Sequence, residues 1–140
     1  GEAIFALMAL GAEGVQMGTR FALTDESSAS DIFKEYCLRL NEGDTKLLLK
    51  KLAPTRLVTN SFRDRVEAAE GRGASAEERR ELLGRGRAKK GICEGDLEEG
   101  ELEIGQVAAL FRRRQSVDEV MKELLEGYRR ASDKIRSAGL

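Results

Sequence analysis

Apolar and polar positions divide the first part of the chain into two predicted elements. Residues 2–10 include the apolar side chains Ile4, Phe5, Leu7, Met8 and Leu10. Apolar residues on nearly all sides predict a helix packed tightly on a sheet, and Gly11 closes it. Val15 and Met17 then alternate with Gln16, which predicts a short strand that ends at Gly18.

Helical spacing and capping signals predict four further helices. The first covers residues 31–40, where Ile32, Phe33, Tyr36, Cys37 and Leu40 recur, and we expect Gly43 to end it. Asn60 or Ser61 is the predicted cap of a helix through Ala69. Capping boxes at Ser75–Glu78 and Ser116–Glu119 predict a helix to about Leu83 and a long amphipathic C-terminal helix.

Two short β-prone runs lie between these helices. Residues 45–49 and 55–59 are separated by a segment that holds Pro54, the chain's only proline. They are consistent with a small hairpin, although the leucines at 47–49 could equally form a helical turn.

The residues after the first predicted strand have the chemistry of a phosphate site. Gly18 lets the backbone approach an anion closely, because glycine has no Cβ. The neighbouring amides and the Thr19 hydroxyl can donate hydrogen bonds, and Arg20 adds positive charge. A glycine loop at the carboxyl end of a strand is where ligands bind in parallel α/β proteins.

Charge and cysteine content exclude several other classes. The 24 Lys and Arg and 25 Asp and Glu give a formal charge of −1, so no overall field favours nucleic acid or an anionic membrane. No apolar run approaches a membrane span and no secretory signal is present, which predicts a cytoplasmic location. Cys37 and Cys93 stand far apart outside any CxxC pattern, so free thiols are expected.

Two charged segments have a functional and a plainer interpretation. Residues 84–90 are locally basic and could contact a phosphate, but a solvated helix end and turn is favoured because acidic residues flank them. Residues 94–103 place carboxylates around glycines without the ligand order of a calcium loop, so a solvated turn is expected and no metal site is assigned.

Several stretches together resemble the nitronate monooxygenase family, which includes the 2-nitropropane dioxygenases and the flavin-dependent enoyl-acyl-carrier-protein reductases. Residues 1–21 resemble the last helix and strand of that family's barrel. The downstream landmarks that resemble the family, in the right order, are Asp44, Thr45, Arg56, Asn60, residues 94–100 and residues 104–110.

The resemblance implies an α/β fold, the C-terminal portion of a (β/α)8 TIM-type barrel with a mainly helical substrate-capping region. A closed barrel typically needs about 250 residues, so a chain of 140 residues that begins Gly1-Glu2 is expected to be a C-terminal part. The expected divisions are 1–27, the end of the flavin-binding barrel, 28–110, the helical cap, and 111–140, the C-terminal helix.

The resemblance also implies an FMN-dependent oxidoreductase. Gln16, Met17, Gly18 and Thr19 are the expected cofactor-binding residues, with Gly1 and Gln106 as further candidates. The chain contains no histidine, so the base that the family uses is expected upstream of Gly1 and no catalytic residue is assigned here. NAD(P)H is a candidate co-substrate, the expected partner is a small-molecule substrate, and a homodimer is the assembly to test.

The sequence leaves three questions about the function open. The reaction could be nitronate oxidation with oxygen or enoyl-thioester reduction with NAD(P)H. The chain could instead be a non-catalytic helical interaction module that kept the phosphate-loop sequence without its ligand. A third alternative is another phosphate-handling barrel, similar to IMP dehydrogenase or glutamate synthase.

Overall fold

The computed structural model describes residues 1–139 and has six α-helices and one two-stranded sheet there. In chain order the elements are α1 (Glu2–Ala9), α2 (Thr19–Ala22), α3 (Asp31–Cys37), β1 (Thr45–Leu48), β2 (Thr55–Val58), α4 (Ser61–Gly71), α5 (Ala76–Leu83) and α6 (Val117–Ser137). A π-helical turn spans Lys89–Cys93 and a 3-10 helix spans Gln106–Leu110. The last residue of the predicted C-terminal region, Leu140, lies outside the described residues.

Side-chain caps begin four of the helices as predicted. Ser30 accepts from the Phe33 amide at the start of α3, and Asn60 accepts from the Arg63 amide at the start of α4. Both bonds of a capping box are present at Ser75 and at Ser116. Two ends differ: α4 continues to Gly71 instead of Ala69, and α3 stops at Cys37, with Gly43 taking a positive φ of 94° in the turn before β1.

The predicted hairpin forms, and it separates two apolar cores. β1 and β2 pair antiparallel with Thr45 opposite Val58. Because successive side chains of a strand point to opposite faces, Leu57 and Val58 enter different cores. One core holds Leu48, Leu49, Leu57, Phe62 and Val66, and the other holds Leu23, Phe33, Cys37, Leu38, Leu40, Val58, Leu102, Ile104 and Ala108.

The prediction of a strand at residues 15–17 is wrong for this chain. Residues 12–18 have no regular secondary structure, and Gln16 is exposed there. The reason is that a strand exists only when a neighbour completes its hydrogen-bond ladder, and none of residues 1–139 pairs with this segment.

Helix α1 packs on another helix rather than on a sheet. It lies against α6, where Phe5 meets Tyr128 edge to face with ring centroids 5.4 Å apart. No residue of α1 is buried, and Leu10 is 85% exposed. None of the helices in residues 1–139 combines the length and the apolarity that crossing a bilayer requires.

Candidate functional site

The segment that precedes α2 keeps its hydrogen-bond donors free. Within residues 1–139, the backbone amides of residues 15–19 donate to no protein acceptor. A Cβ built on Gly18 would meet nothing within 4 Å, so the backbone there faces open space. A run of free amides beside an uncrowded glycine is the donor set that an anion requires.

Thr19 joins this segment to Gly105 and Gln106, a glycine-glutamine pair within the landmark residues 104–110. The Gly105 amide donates to Thr19 Oγ1 at 3.0 Å, across 86 positions of sequence. The hydroxyl oxygen is therefore an acceptor towards Gly105, which leaves its own proton for another partner. The contact is close, since a Cβ on Gly105 would lie 2.6 Å from Thr19 Oγ1.

Four of the six candidate cofactor-binding residues are consecutive in the chain, and the other two, Gly1 and Gln106, lie on other segments. Gln16, Met17, Gly18 and Thr19 are consecutive, and Gly105 brings the exposed Gln106 to the same region. Gly1 lies against α6 instead, where an added Cβ would be 2.4 Å from both Leu124 O and Tyr128 N. It borders a cleft of about 550 Å³ that Arg20 and Gln115 also line.

The expected role of Arg20 as a positive charge for a phosphate is not supported. Its guanidinium donates to the Glu123 carboxylate at 2.5 Å and to the side-chain oxygen of Gln115. It also lies 4.6 Å from the centroid of the Phe111 ring. Arg20 is therefore paired within the chain, where it fastens α2 to α6.

The basic segment pairs with the acidic segment that follows it. Lys90 Nζ lies 2.9 Å from the Asp96 carboxylate, and Arg87 donates to both the backbone and the side chain of Glu99. Arg65 adds a bidentate pair to Glu99. These ion pairs support the interpretation of residues 84–90 as a helix end and turn.

Within residues 96–103, hydrogen bonds lower the pKa of one carboxyl group, and burial raises the pKa of two others. Backbone amides of Glu99 and Glu98, together with Lys90, lower the pKa of Asp96 to about 2. Desolvation raises the pKa of Glu101, with a further contribution from the charge of Glu103, and it also raises the pKa of Glu103. The segment that leads to Gly105 thus carries two carboxyl groups whose pKa values are raised by burial.

A second cleft, which we call the arginine cleft, has a volume of about 640 Å³. The residues that line it are Glu42, Gly43, Thr45, Arg56, Gln106, Val107, Ala109, Leu110 and Arg112. Thr45, Arg56 and four of the residues 104–110, all quoted for the resemblance, therefore border one space. Arg112 was not among the sequence candidates, because its neighbours Arg113 and Arg114 carry the same charge and nothing local distinguishes it.

Comparison with known proteins identifies the family. The sequence model of nitronate monooxygenases matches residues 1–127, and this chain belongs to that family. A probable nitronate monooxygenase of Staphylococcus saprophyticus is 51% identical over 65 residues, which is 44% of this chain and 18% of the relative. One of Staphylococcus aureus strain JH9 is 38% identical over 74 residues, covering 51% and 20% respectively.

Solved structures show the same fold. FabK from Thermotoga maritima aligns with 99% of this chain at a TM-score of 0.87 and 31% identity. A nitroalkane oxidase from Streptomyces ansochromogenes aligns with 96% at a TM-score of 0.69 and 25% identity. The chain spans 44% and 38% of these two structures and about a fifth of the curated relatives.

Proposed function

We propose that this chain is the C-terminal part of an FMN-dependent oxidoreductase that oxidises alkyl nitronates with oxygen. Residues 16–19 then bind the phosphate end of the cofactor. The observation that carries the proposal is the Gly18–Thr19 pair, in which an uncrowded glycine precedes a threonine hydroxyl that accepts from Gly105. Membership of the nitronate monooxygenase family supports it.

The residues present fit a phosphate. Gly18 leaves room for an anion to approach the backbone, and the Thr19 proton is free to be donated. The charge contribution must come from the amides rather than from Arg20, because Glu123 neutralises that guanidinium. The neighbouring Gln16 is exposed and can donate or accept.

Bound FMN would supply a two-electron acceptor that substrate reduces and oxygen reoxidises. The residues of this chain hold and orient its phosphate end, which fixes the remote ring by anchoring one terminus. Proton abstraction is assigned to no residue here, because the chain has no histidine. Residues 28–110 would form the wall of the substrate pocket, with Gln106 on the cofactor side.

The test is a flavin titration of the complete enzyme, comparing Gly18→Asp with Gly71→Asp. Both glycines have open surroundings and neither has a positive φ, so each accepts a side chain without strain. A carboxylate at residue 18 should weaken FMN binding at least about tenfold by repelling the phosphate, whereas one at residue 71 should leave it unchanged. Equal flavin content in the two variants would contradict the proposal.

The second candidate is the reductase branch of the family, with an enoyl thioester as substrate and NAD(P)H as reductant. It is supported by the higher TM-score against FabK than against the nitroalkane oxidase. Nitronate-dependent oxygen consumption and NAD(P)H-dependent enoyl reduction, measured on one preparation, separate the two. A colourless protein with neither activity would instead favour the interaction module.

A further inference from the structure

The arginine cleft contains two cationic side chains that no carboxylate of residues 1–139 neutralises. Arg56 is half-buried, and its Nη1 donates to the Thr45 carbonyl at 3.3 Å and to the Thr45 hydroxyl at 3.2 Å. Arg112 Nη1 donates to the Leu40 carbonyl at 2.9 Å. Arg112 Nη1 also donates to the Phe111 carbonyl at 3.2 Å, and within residues 1–139 neither guanidinium forms a salt bridge and the Nε and Nη2 donors of both have no protein acceptor.

The half-buried Arg56 differs in this respect from the other half-buried arginines of residues 1–139, whereas Arg112 is exposed and the buried Arg79 also has no salt bridge there. Arg20, Arg63, Arg87 and Arg114 each have a carboxylate within the salt-bridge distance. A guanidinium presents five donors, and the backbone contacts of Arg56 and Arg112 engage only one nitrogen of each. The remaining donors can therefore receive an oxyanion from outside the chain.

The wall beside the arginines is apolar. Val107 and Leu110 lie on the 3-10 helix, and they are 46% and 76% exposed. Ala109 continues this wall. A volume of about 640 Å³ lies within the usual range of small-molecule sites.

The geometry points to a binding site for an amphiphilic anion in the arginine cleft. The oxyanion, a carboxylate or a phosphate, is received by Arg56 and Arg112, and its short apolar chain lies on Val107 and Leu110. The inference does not depend on the flavin proposal, since none of these four residues belongs to residues 16–19. A negative result for one proposal therefore does not contradict the other.

Glu42 allows a test in which the affinity for the anion should change in the opposite direction from that in the arginine variants. It is the one carboxylate that lines the cleft, and it is exposed without a salt bridge among the described residues. Its charge opposes an incoming anion. Removing it should tighten binding, whereas removing either arginine charge should weaken binding.

The experiment titrates the 15N-labelled complete enzyme with n-hexanoate, n-hexyl phosphate, acetate and n-hexylamine, followed by the amide chemical shifts of Val107 and Leu110. At least one of the two six-carbon anions should bind saturably, and their ratio identifies the preferred oxyanion. Acetate should bind more weakly because it lacks the chain, and hexylamine should not bind there. Absence of saturable anion binding, or equal binding of hexylamine, would overturn the inference.

The variants give the decisive comparison. Arg56→Gln and Arg112→Gln should each raise the Kd of the bound anion about tenfold, the size of one charge-assisted hydrogen bond. Glu42→Gln should lower it about threefold. Arg129→Gln, at an exposed arginine of α6 outside the cleft, is the matched control and should change nothing.

Circular dichroism melts accompany every variant, since Arg56 also contacts Thr45. Arg112→Gln keeps the inference falsifiable if Arg56→Gln unfolds the hairpin. A Kd that is unchanged in folded Arg112→Gln, or one that rises in Glu42→Gln, would overturn it.

Discussion

Thr19 and Gly105 are joined by a hydrogen bond from the Gly105 amide to Thr19 Oγ1 at 3.0 Å. The bond brings the start of α2 to the start of the 3-10 helix, although 86 positions separate the two residues in sequence. It places the proposed phosphate segment beside the glycine-glutamine pair. The spacing between them is too small for any side chain on residue 105.

Gly105→Ala should destabilise the fold through this contact alone. The backbone at Gly105, with φ −70° and ψ 151°, accepts alanine, but the new Cβ would stand 2.6 Å from Thr19 Oγ1. We expect a cost of about 1–3 kcal/mol from overpacking. Thr19→Ala alone should cost about 1 kcal/mol by leaving the Gly105 amide without its acceptor.

Urea unfolding of both single variants and the double variant tests the relationship. Thr19→Ala removes the atom that clashes, so the double variant should lose at least about 1 kcal/mol less than the sum of the singles. Strict additivity would mean that the two residues do not touch.

Arg20→Lys should loosen the junction of α2 and α6. Lysine keeps the charge but loses the planar fork that reaches Glu123 and Gln115 and lies over Phe111. We expect a loss of about 1–2 kcal/mol in the free energy of unfolding. Arg72→Lys, in the exposed pair with Glu78, is the control and should stay within about 0.5 kcal/mol.

Much of the fold follows from local signals. The caps Ser30, Asn60, Ser75 and Ser116 act on amides three residues ahead, so a short stretch of sequence contains the whole interaction. The hairpin is local as well, because two β-prone runs flank a short loop.

The structure differs from the sequence-based predictions where a residue's environment depends on groups that are distant in the sequence. Residues 15–17 have the alternation of a strand, but alternation cannot supply a pairing neighbour. The sequence suggests Arg20 as a charge for a phosphate because its carboxylate partner, Glu123, lies 103 positions away and no local pattern indicates the pair. The arginine cleft likewise assembles residues from separate regions of the chain, and the resemblance does not include its Glu42, Gly43 and Arg112.

Asp96 should make stability depend on acid pH. Its pKa is lowered to about 2 by the amides of Glu99 and Glu98 and by Lys90, whereas the pKa of an aspartate in an unfolded chain is about 3.9. A lowered folded-state pKa contributes stability above the unfolded value, and that contribution is lost as pH falls through the folded value. Asp96→Asn should therefore be less stable than the parent chain at pH 7.

Thermal melts at pH 7 and at pH 2 test this dependence. The difference between Asp96→Asn and the parent chain should shrink between about pH 4 and about pH 2. A difference that is the same at both pH values would contradict the assigned ion pair with Lys90.

The two cysteines should react very differently with a thiol reagent. Burial raises the pKa of the Cys37 thiol to about 12, and Cys37 lies in the larger core, whereas Cys93 is exposed. Only the thiolate attacks disulfide reagents. We expect one rapidly reacting thiol in the native chain and two after denaturation, with Cys93→Ser removing the rapid one. Rapid reaction of Cys37 in that variant would contradict the core packing.

We propose above that residues 16–19 bind the phosphate of the cofactor. The most direct test of this proposal compares the affinities of the complete enzyme for FMN and for riboflavin, which differ only by that phosphate, in the parent protein and in Gly18→Asp. We predict that the parent protein binds FMN at least about tenfold more tightly, the size of one charge-assisted hydrogen bond, and that Gly18→Asp removes this preference while riboflavin affinity is retained. An equal affinity for the two flavins in the parent protein would contradict the account.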